Sequence, residues 1–174
     1  MAQQKTKRLL ALACLLAVSG THAVYAADIN LSGTVVASAC TVDTGTKEQT
    51  VTFDQARAVD YTKVGNTSEW QDFELTLSGC PLSTTQVTAL FSGNADQDDG
   101  TKFANAQGSA TGMALQIMTR DHLKEIPPAG KLAVNIDGTS RRAVFPLSAR
   151  MYTPSGMVTA GEFRTVVQLT FTYQ

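Results

Sequence analysis

Little in this sequence is suited to chemistry. It holds only 2 histidines and 3 cysteines, the residues behind most nucleophiles, general bases and metal sites. No Gly-x-Ser-x-Gly elbow and no His-Glu-x-x-His occurs. The acidic run "NADQDDG", residues 94 to 100, falls short of a calcium loop: Asp99 stands where the turn glycine would be, and no glutamate closes it. Asn66-Thr67-Ser68 is a formal glycosylation sequon, a triplet frequent by chance. Nor is there a run able to span a bilayer, which takes about 20 apolar residues. Internal repeats and low-complexity linkers are also missing.

The one marked apolar run, "LLALACLLAV" from Leu9 to Val18, is ten residues long. Lys5, Lys7 and Arg8 precede it, and small residues at Val24 and Ala26 follow. This is the pattern of a secretory signal peptide over residues 1–26, cut after Ala26, with a cut after Ala23 the weaker option. A lipoprotein leader fits poorly, because Cys14 lies inside the run with Ala11 where a leucine is wanted. Removing the leader leaves 11 basic and 15 acidic residues, a net charge of −4. Such a surface gives no support for binding nucleic acid or anionic membrane. No other segment suits direct membrane insertion.

Cys40 and Cys80 remain after export, with His122 as the sole histidine. Two cysteines in an oxidising compartment most often form one disulfide. Closing a loop of 40 residues would stabilise the fold by roughly 4 kcal/mol on the chain-entropy estimate. A free thiol pair or a metal site is the alternative, but two cysteines and one histidine do not complete a tetrahedral zinc shell.

What the sequence does hold is alternation. Phe73, Leu75 and Leu77 share one face against Asp72, Glu74 and Thr76; Val87, Ala89 and Phe91 repeat the spacing, as do Met113, Leu115 and Ile117. Leu132, Val134 and Ile136 precede a turn at Asp137-Gly138. Ala143, Phe145, Leu147, Ala149 and Met151 line up in a longer run, where Pro146 on the other parity predicts an edge strand or a bulge. Period-2 segments separated by Gly, Asn, Asp and Pro predict an all-β, antiparallel sandwich of about seven strands. Residues 55 to 70 lack the pattern and read as a loop with a short helical turn.

Both ends are patterned as well. In "GEFRTVVQLTFTYQ", residues 161 to 174, Val167, Leu169, Phe171 and Tyr173 alternate with Gln168, Thr170 and Thr172. "ADINLSGTVVASAC" alternates Ile29, Leu31, Gly33, Val35 and Ala37 against polar neighbours. A glycine on the apolar side of a strand makes sense where an opposing surface comes close. Three readings follow. The two end strands could pair with each other in a self-contained secreted β-sandwich. The chain could be an enzyme, for which the site inventory is thin. Or it could assemble by β-strand addition, its last strand bordering a groove that another molecule fills.

The sequence resembles subunits of chaperone–usher fimbriae of the type 1 pilin family, especially their minor tip-adaptor subunits. Gly161 is fourteenth from the end and Tyr173 penultimate, with Val167, Leu169 and Phe171 between them. Cys40 follows an amphipathic extension, Cys80 opens "CP" after a strand, and residues 64 to 93 resemble the adaptor subunits nearly throughout. The extension is about two residues shorter than in the adaptor subunits. The resemblance implies an incomplete immunoglobulin-like β-sandwich, six-stranded and lacking its last strand, over residues 38–174. It implies a donor-strand extension over residues 27–37, with Ile29, Leu31, Gly33 and Val35 as the donor residues. Gly161, Val167, Leu169, Phe171 and Tyr173 would form the acceptor groove and the chaperone-recognition strand, residues 163 to 173. Implied partners are neighbouring fimbrial subunits, a periplasmic chaperone and an outer-membrane usher. The implied route runs through the periplasm to a surface fimbrium, with no cofactor, no metal and no enzymatic activity. A major shaft pilin is the alternative role.

Overall fold

The computed structural model describes residues 39–174. The leader (1–26) and the predicted donor residues Ile29, Leu31, Gly33 and Val35 lie outside them.

Six strands of five or more residues carry the fold: β2 (Gln71–Ser78), β3 (Gln86–Ser92), β5 (Ala114–Thr119), β6 (Lys131–Asn135), β7 (Ala143–Tyr152) and β8 (Gln168–Tyr173). Two short strands, β1 (Thr41–Val42) and β4 (Phe103–Ala104), add to the larger sheet. Among the described residues, helical structure is confined to α1 (Thr44–Lys47) and a 3-10 turn at Ala58–Asp60, the latter within the stretch whose pattern lapses. One sheet has the order β1-β2-β7-β5-β4 and the other β6-β3-β8. All pairings between these strands are antiparallel.

The alternating residues meet between the sheets. Leu75, Leu77, Val87, Ala89, Phe91, Phe145 and Leu147 are all at most 1% exposed. The Cys40–Cys80 disulfide ties the start of β1 to the turn after β2. Beside it the Arg141 guanidinium donates hydrogen bonds to the carbonyls of Cys80, Pro81 and Thr84.

Three sequence expectations need correction. Pro146 lies in neither an edge strand nor a bulge: β7 is the central strand of its sheet, and Pro146 pairs in register with Glu74. In an antiparallel strand the N–H and C=O of one residue point the same way. The Pro146 carbonyl accepts from Arg120 N–H at 3.1 Å, just past the level where β5 stops at Thr119↔Leu147. The ring nitrogen therefore faces Arg120 at the end of β5 and not β2, so the ladder with β2 is left intact. Secondly, the wet faces are not all wet. Gln116 is buried, giving its amide to Glu125 (3.0 Å) and accepting from Arg150 (2.7 Å), while buried Thr76 shares backbone hydrogen bonds with the Thr46 hydroxyl. Thirdly, the last strand begins at Gln168, because β3, its only described partner, ends at Ser92. Residues 163–167 continue the same alternation without a strand beside them.

Candidate functional site

Strand β8 pairs with β3 along one edge, and among the described residues no strand pairs with the other. Its apolar face tells the same story. Val167, Leu169, Phe171 and Tyr173 point toward the core but are only half-buried. On β3, the strand next to it, Val87, Ala89 and Phe91 are sealed. An inward face that stays half-wet marks a layer of the sandwich that is unfinished on that side.

A groove of about 990 Å³ runs along this edge. Its floor consists of Phe73, Leu75, Phe91, Leu115, Ile117 and Ala149. Phe171 leans on Phe145 at 5.8 Å between ring centroids, and burial pushes the Tyr173 phenol above its ordinary pKa. The opposite wall is a segment that sequence reasoning left unmarked. Residues 48–53 follow α1 without regular secondary structure, with Val51 and Phe53 half-buried between exposed Thr50, Thr52 and Asp54. Among the described residues, the backbone of 49–56 has no hydrogen-bond partner. Buried or bordering backbone groups are nearly always paired in finished folds. The groove thus has two walls with backbone N–H and C=O groups left unpaired among the described residues, above an apolar floor. The alternation of Val51 and Phe53 was the available sequence signal, two residues too short to stand out.

Phe53 and Phe163 meet edge to face at 5.9 Å. They border both the groove and a second cavity of about 480 Å³ lined by Tyr61, Met113, Met151, Val158 and Gly161. Gly161 therefore lies beyond the end of the groove rather than along it. It is a glycine for a steric reason: a Cβ there would sit 2.5 Å from Ala110 N and 2.8 Å from Ala110 Cα, backbone atoms that cannot swing aside. At the other end, Val42, two residues after Cys40, lines the groove, so the disulfide anchors the chain beside it.

The remaining candidates are elsewhere. The acidic run is a turn in which the Asp96 carboxylate accepts from Asp98 and Asp99 N–H, and Asp99 pairs with Lys102 at 3.1 Å. Exposed His122 stacks on Trp70 at 4.3 Å, where the Arg150 guanidinium also packs at 4.1 Å. No three His, Cys, Asp or Glu side chains among the described residues are placed to hold a metal ion. Shape and chemistry of the groove suit an extended polypeptide: backbone groups on both walls to pair with it, and an apolar floor for every second side chain.

Comparison with known proteins bears on this geometry. Residues 29–174 match the family described as Fimbrial protein. The chain is 34% identical over 169 residues to Protein FimG of Escherichia coli (strain K12), covering 96% of this chain and 97% of that protein. It is 32% identical over 145 residues to the S-fimbrial adhesin protein SfaS of Escherichia coli O6:K15:H31 (strain 536 / UPEC), covering 83% of each. Among solved structures, the P pilus rod subunit PapA superposes with a TM-score of 0.66 at 19% identity, over 78% of this chain and 99% of that one. That last likeness shows the fold.

Proposed function

The chain belongs to the fimbrial protein family as a chaperone–usher pilin, a structural subunit of a fimbrium, and from that premise we propose that its groove is completed by a strand donated from another subunit. The observation that carries this is the half-buried inward face of β8 beside an apolar groove. A donor entering there gains main-chain hydrogen bonds along β8, each adding about 0.5–1.5 kcal/mol. Its alternate side chains then cover the half-buried Phe73, Val167, Leu169 and Phe171. Until a donor arrives, the open edge is a hazard for uncontrolled pairing, and a periplasmic chaperone that lends a strand and an outer-membrane usher that exchanges it are the partners this edge calls for.

The same reading divides the chain into a leader (1–26), an extension (27–37) and the pilin body (38–174). The extension would complete a neighbour's groove, with Ile29, Leu31, Gly33 and Val35 as its inward residues. Burying Ile29, Leu31 and Val35 at roughly 1.5–3 kcal/mol each supplies about 5–9 kcal/mol before the cost of ordering the segment. Durable assembly then rests on slow unfolding of the completed sandwich. Within the fibre, the resemblance of residues 64–93 to adaptor subunits supports a minor subunit near the tip rather than a shaft pilin. The route is export through the periplasm to the cell surface.

Substitution Leu31→Asp tests the donor role. The variant is expected to remain a chaperone-bound monomer that does not join the next subunit; normal incorporation into fibres rules the donor assignment out. Immunogold labelling with an antibody to this chain separates tip from shaft.

A further inference from the structure

We infer that Asn105 is a positioning residue for the groove: it holds the unpaired half of the wall, residues 163–167, in line with β8 before any donor arrives. This rests on the strand-accepting reading above and asks what keeps the wall straight where no sheet supports it.

From Gln168 onward β8 is held by β3. Before Gln168 that support is gone, yet the chain stays extended and Phe163 and Val167 stay turned inward. An extended segment without a ladder loses its conformation readily, since each residue regains backbone freedom. Here the missing strand is replaced by the loop after β4, and one side chain supplies two of the hydrogen bonds that join it to the wall. Asn105 Oδ1 accepts from Arg164 N–H at 2.6 Å; Asn105 Nδ2 donates to the carbonyl of Glu162 at 3.0 Å and to that of Ala110 at 2.8 Å. The carboxamide thus pairs with a residue's N–H and another's C=O on the wall, as a neighbouring strand would. Around it Gln107 N–H bonds Arg164 C=O, Ala110 N–H bonds Glu162 C=O, and the Thr165 hydroxyl bonds Ala104 C=O.

Two glycines make the joint possible. A Cβ on Gly108 would run into Glu162 O and the Asn105 carboxamide, and a Cβ on Gly161 would strike the Ala110 backbone. The clamp grips the wall from the side away from the groove floor. The donor-facing groups are left for the incoming strand, so the wall is prepared for it in advance; ordering a segment before binding removes that cost from the binding step.

Every strand pairing among the described residues is antiparallel. A donor laid antiparallel to β8 puts its early residues beside Leu169 to Tyr173 and its late residues beside Phe163 to Val167. For a peptide copying residues 27–37, Ile29 falls on the β3-supported half and Val35 on the clamped half. Asn105→Ala should then weaken binding of that peptide to the purified, leaderless chain about tenfold. The loss should shrink to about twofold or less for a peptide carrying Val35→Ala, and persist in full for one carrying Ile29→Ala. Gly108→Ala, which displaces the carboxamide without removing it, should give the same pattern if Asn105→Ala does not fold. Faster hydrogen exchange at the Arg164, Gln107 and Ala110 amides in the free variants, with Val87 to Phe91 unchanged, is the accompanying signature. Equal losses for all three peptides, or unchanged affinity and exchange, overturn the positioning role while leaving strand acceptance intact. Failure of the unmodified chain to bind the unmodified peptide overturns strand acceptance itself.

Discussion

Arg141 adopts a left-handed backbone at φ 53° and places its guanidinium across the carbonyls of Cys80, Pro81 and Thr84. Its own carbonyl accepts from Cys80 N–H at 3.1 Å. Removing the guanidinium leaves three carbonyls around a disulfide without their charged donor. Arg141→Ala is therefore expected to lower stability by about 2–4 kcal/mol, read as a fall in the urea midpoint with the slope unchanged. Lys102 is another buried side chain with a defined task. It is 5% exposed and binds Glu125 at 2.7 Å and Asp99 at 3.1 Å. Burial by itself would lower its pKa, but hydrogen bonds and charge from Glu125 and Asp99 outweigh that and hold it above 10.5. The Asp99 carboxyl is held below 3.8, chiefly by the Thr101 hydroxyl, against a smaller opposing effect of burial. A depressed carboxylate contributes stability above its unfolded pKa and loses it as pH falls through the folded value; a raised lysine contributes below its unfolded pKa and loses it as pH rises through the folded value. The cluster thus works from pH 3.8 to 10.5. Melting temperatures of wild type and Lys102→Met should differ by a constant amount across that window and converge below it. A gap that stays constant down to pH 2 contradicts the assignment.

At the scale of elements, β8 is the wall on which everything else is hung. Its pairing with β3 runs from Val87↔Tyr173 to Ser92↔Gln168. Deleting residues 170–174 removes Phe171 and Tyr173 and most of that ladder, so the truncated chain should no longer co-purify with a periplasmic chaperone. Stable co-purification of the truncated chain argues against β8 as the recognition strand. The alternation that defines β8 was legible in the sequence, as were the inward faces of β2, β3, β5, β6 and β7, because a period of two is a local property of each segment. What was not legible depended on neighbours. Pro146 predicts an edge only if its ring nitrogen faces the middle of a neighbouring ladder, and here it faces the finishing end of β5, whose last paired residue is Thr119. Gln116 looks solvent-facing by parity, yet Glu125 and Arg150 from two other segments close over it. Asn105 sits in "FANAQGSATG" with no pattern around it at all; its importance appears only once Glu162 and Arg164, 57 and 59 residues away, are brought to its carboxamide.

Residues 39–174 combine a well-sealed centre with a flank along which no described strand pairs with β8. A ligand that binds only the folded state raises its stability by mass action, about 2.7 kcal/mol at a hundredfold excess over Kd. Titrating a peptide copying residues 27–37 should therefore raise the melting temperature in a concentration-dependent way, as should reduction of the Cys40–Cys80 bond lower it by the equivalent of roughly 4 kcal/mol. A melting temperature indifferent to the peptide is the result that counts against an open flank. The sequence by itself determined the strands, their inward faces, the pair of cysteines that forms the disulfide and the kinship with fimbrial subunits. Each of these is written in neighbouring residues or in short motifs. Only the tertiary structure decided that the groove has a second wall at residues 48–53, that Gly161 lies past its end against Ala110, and that a carboxamide stands in for a missing strand. Those are facts about which distant backbones come within hydrogen-bonding reach, and no local pattern carries that distance.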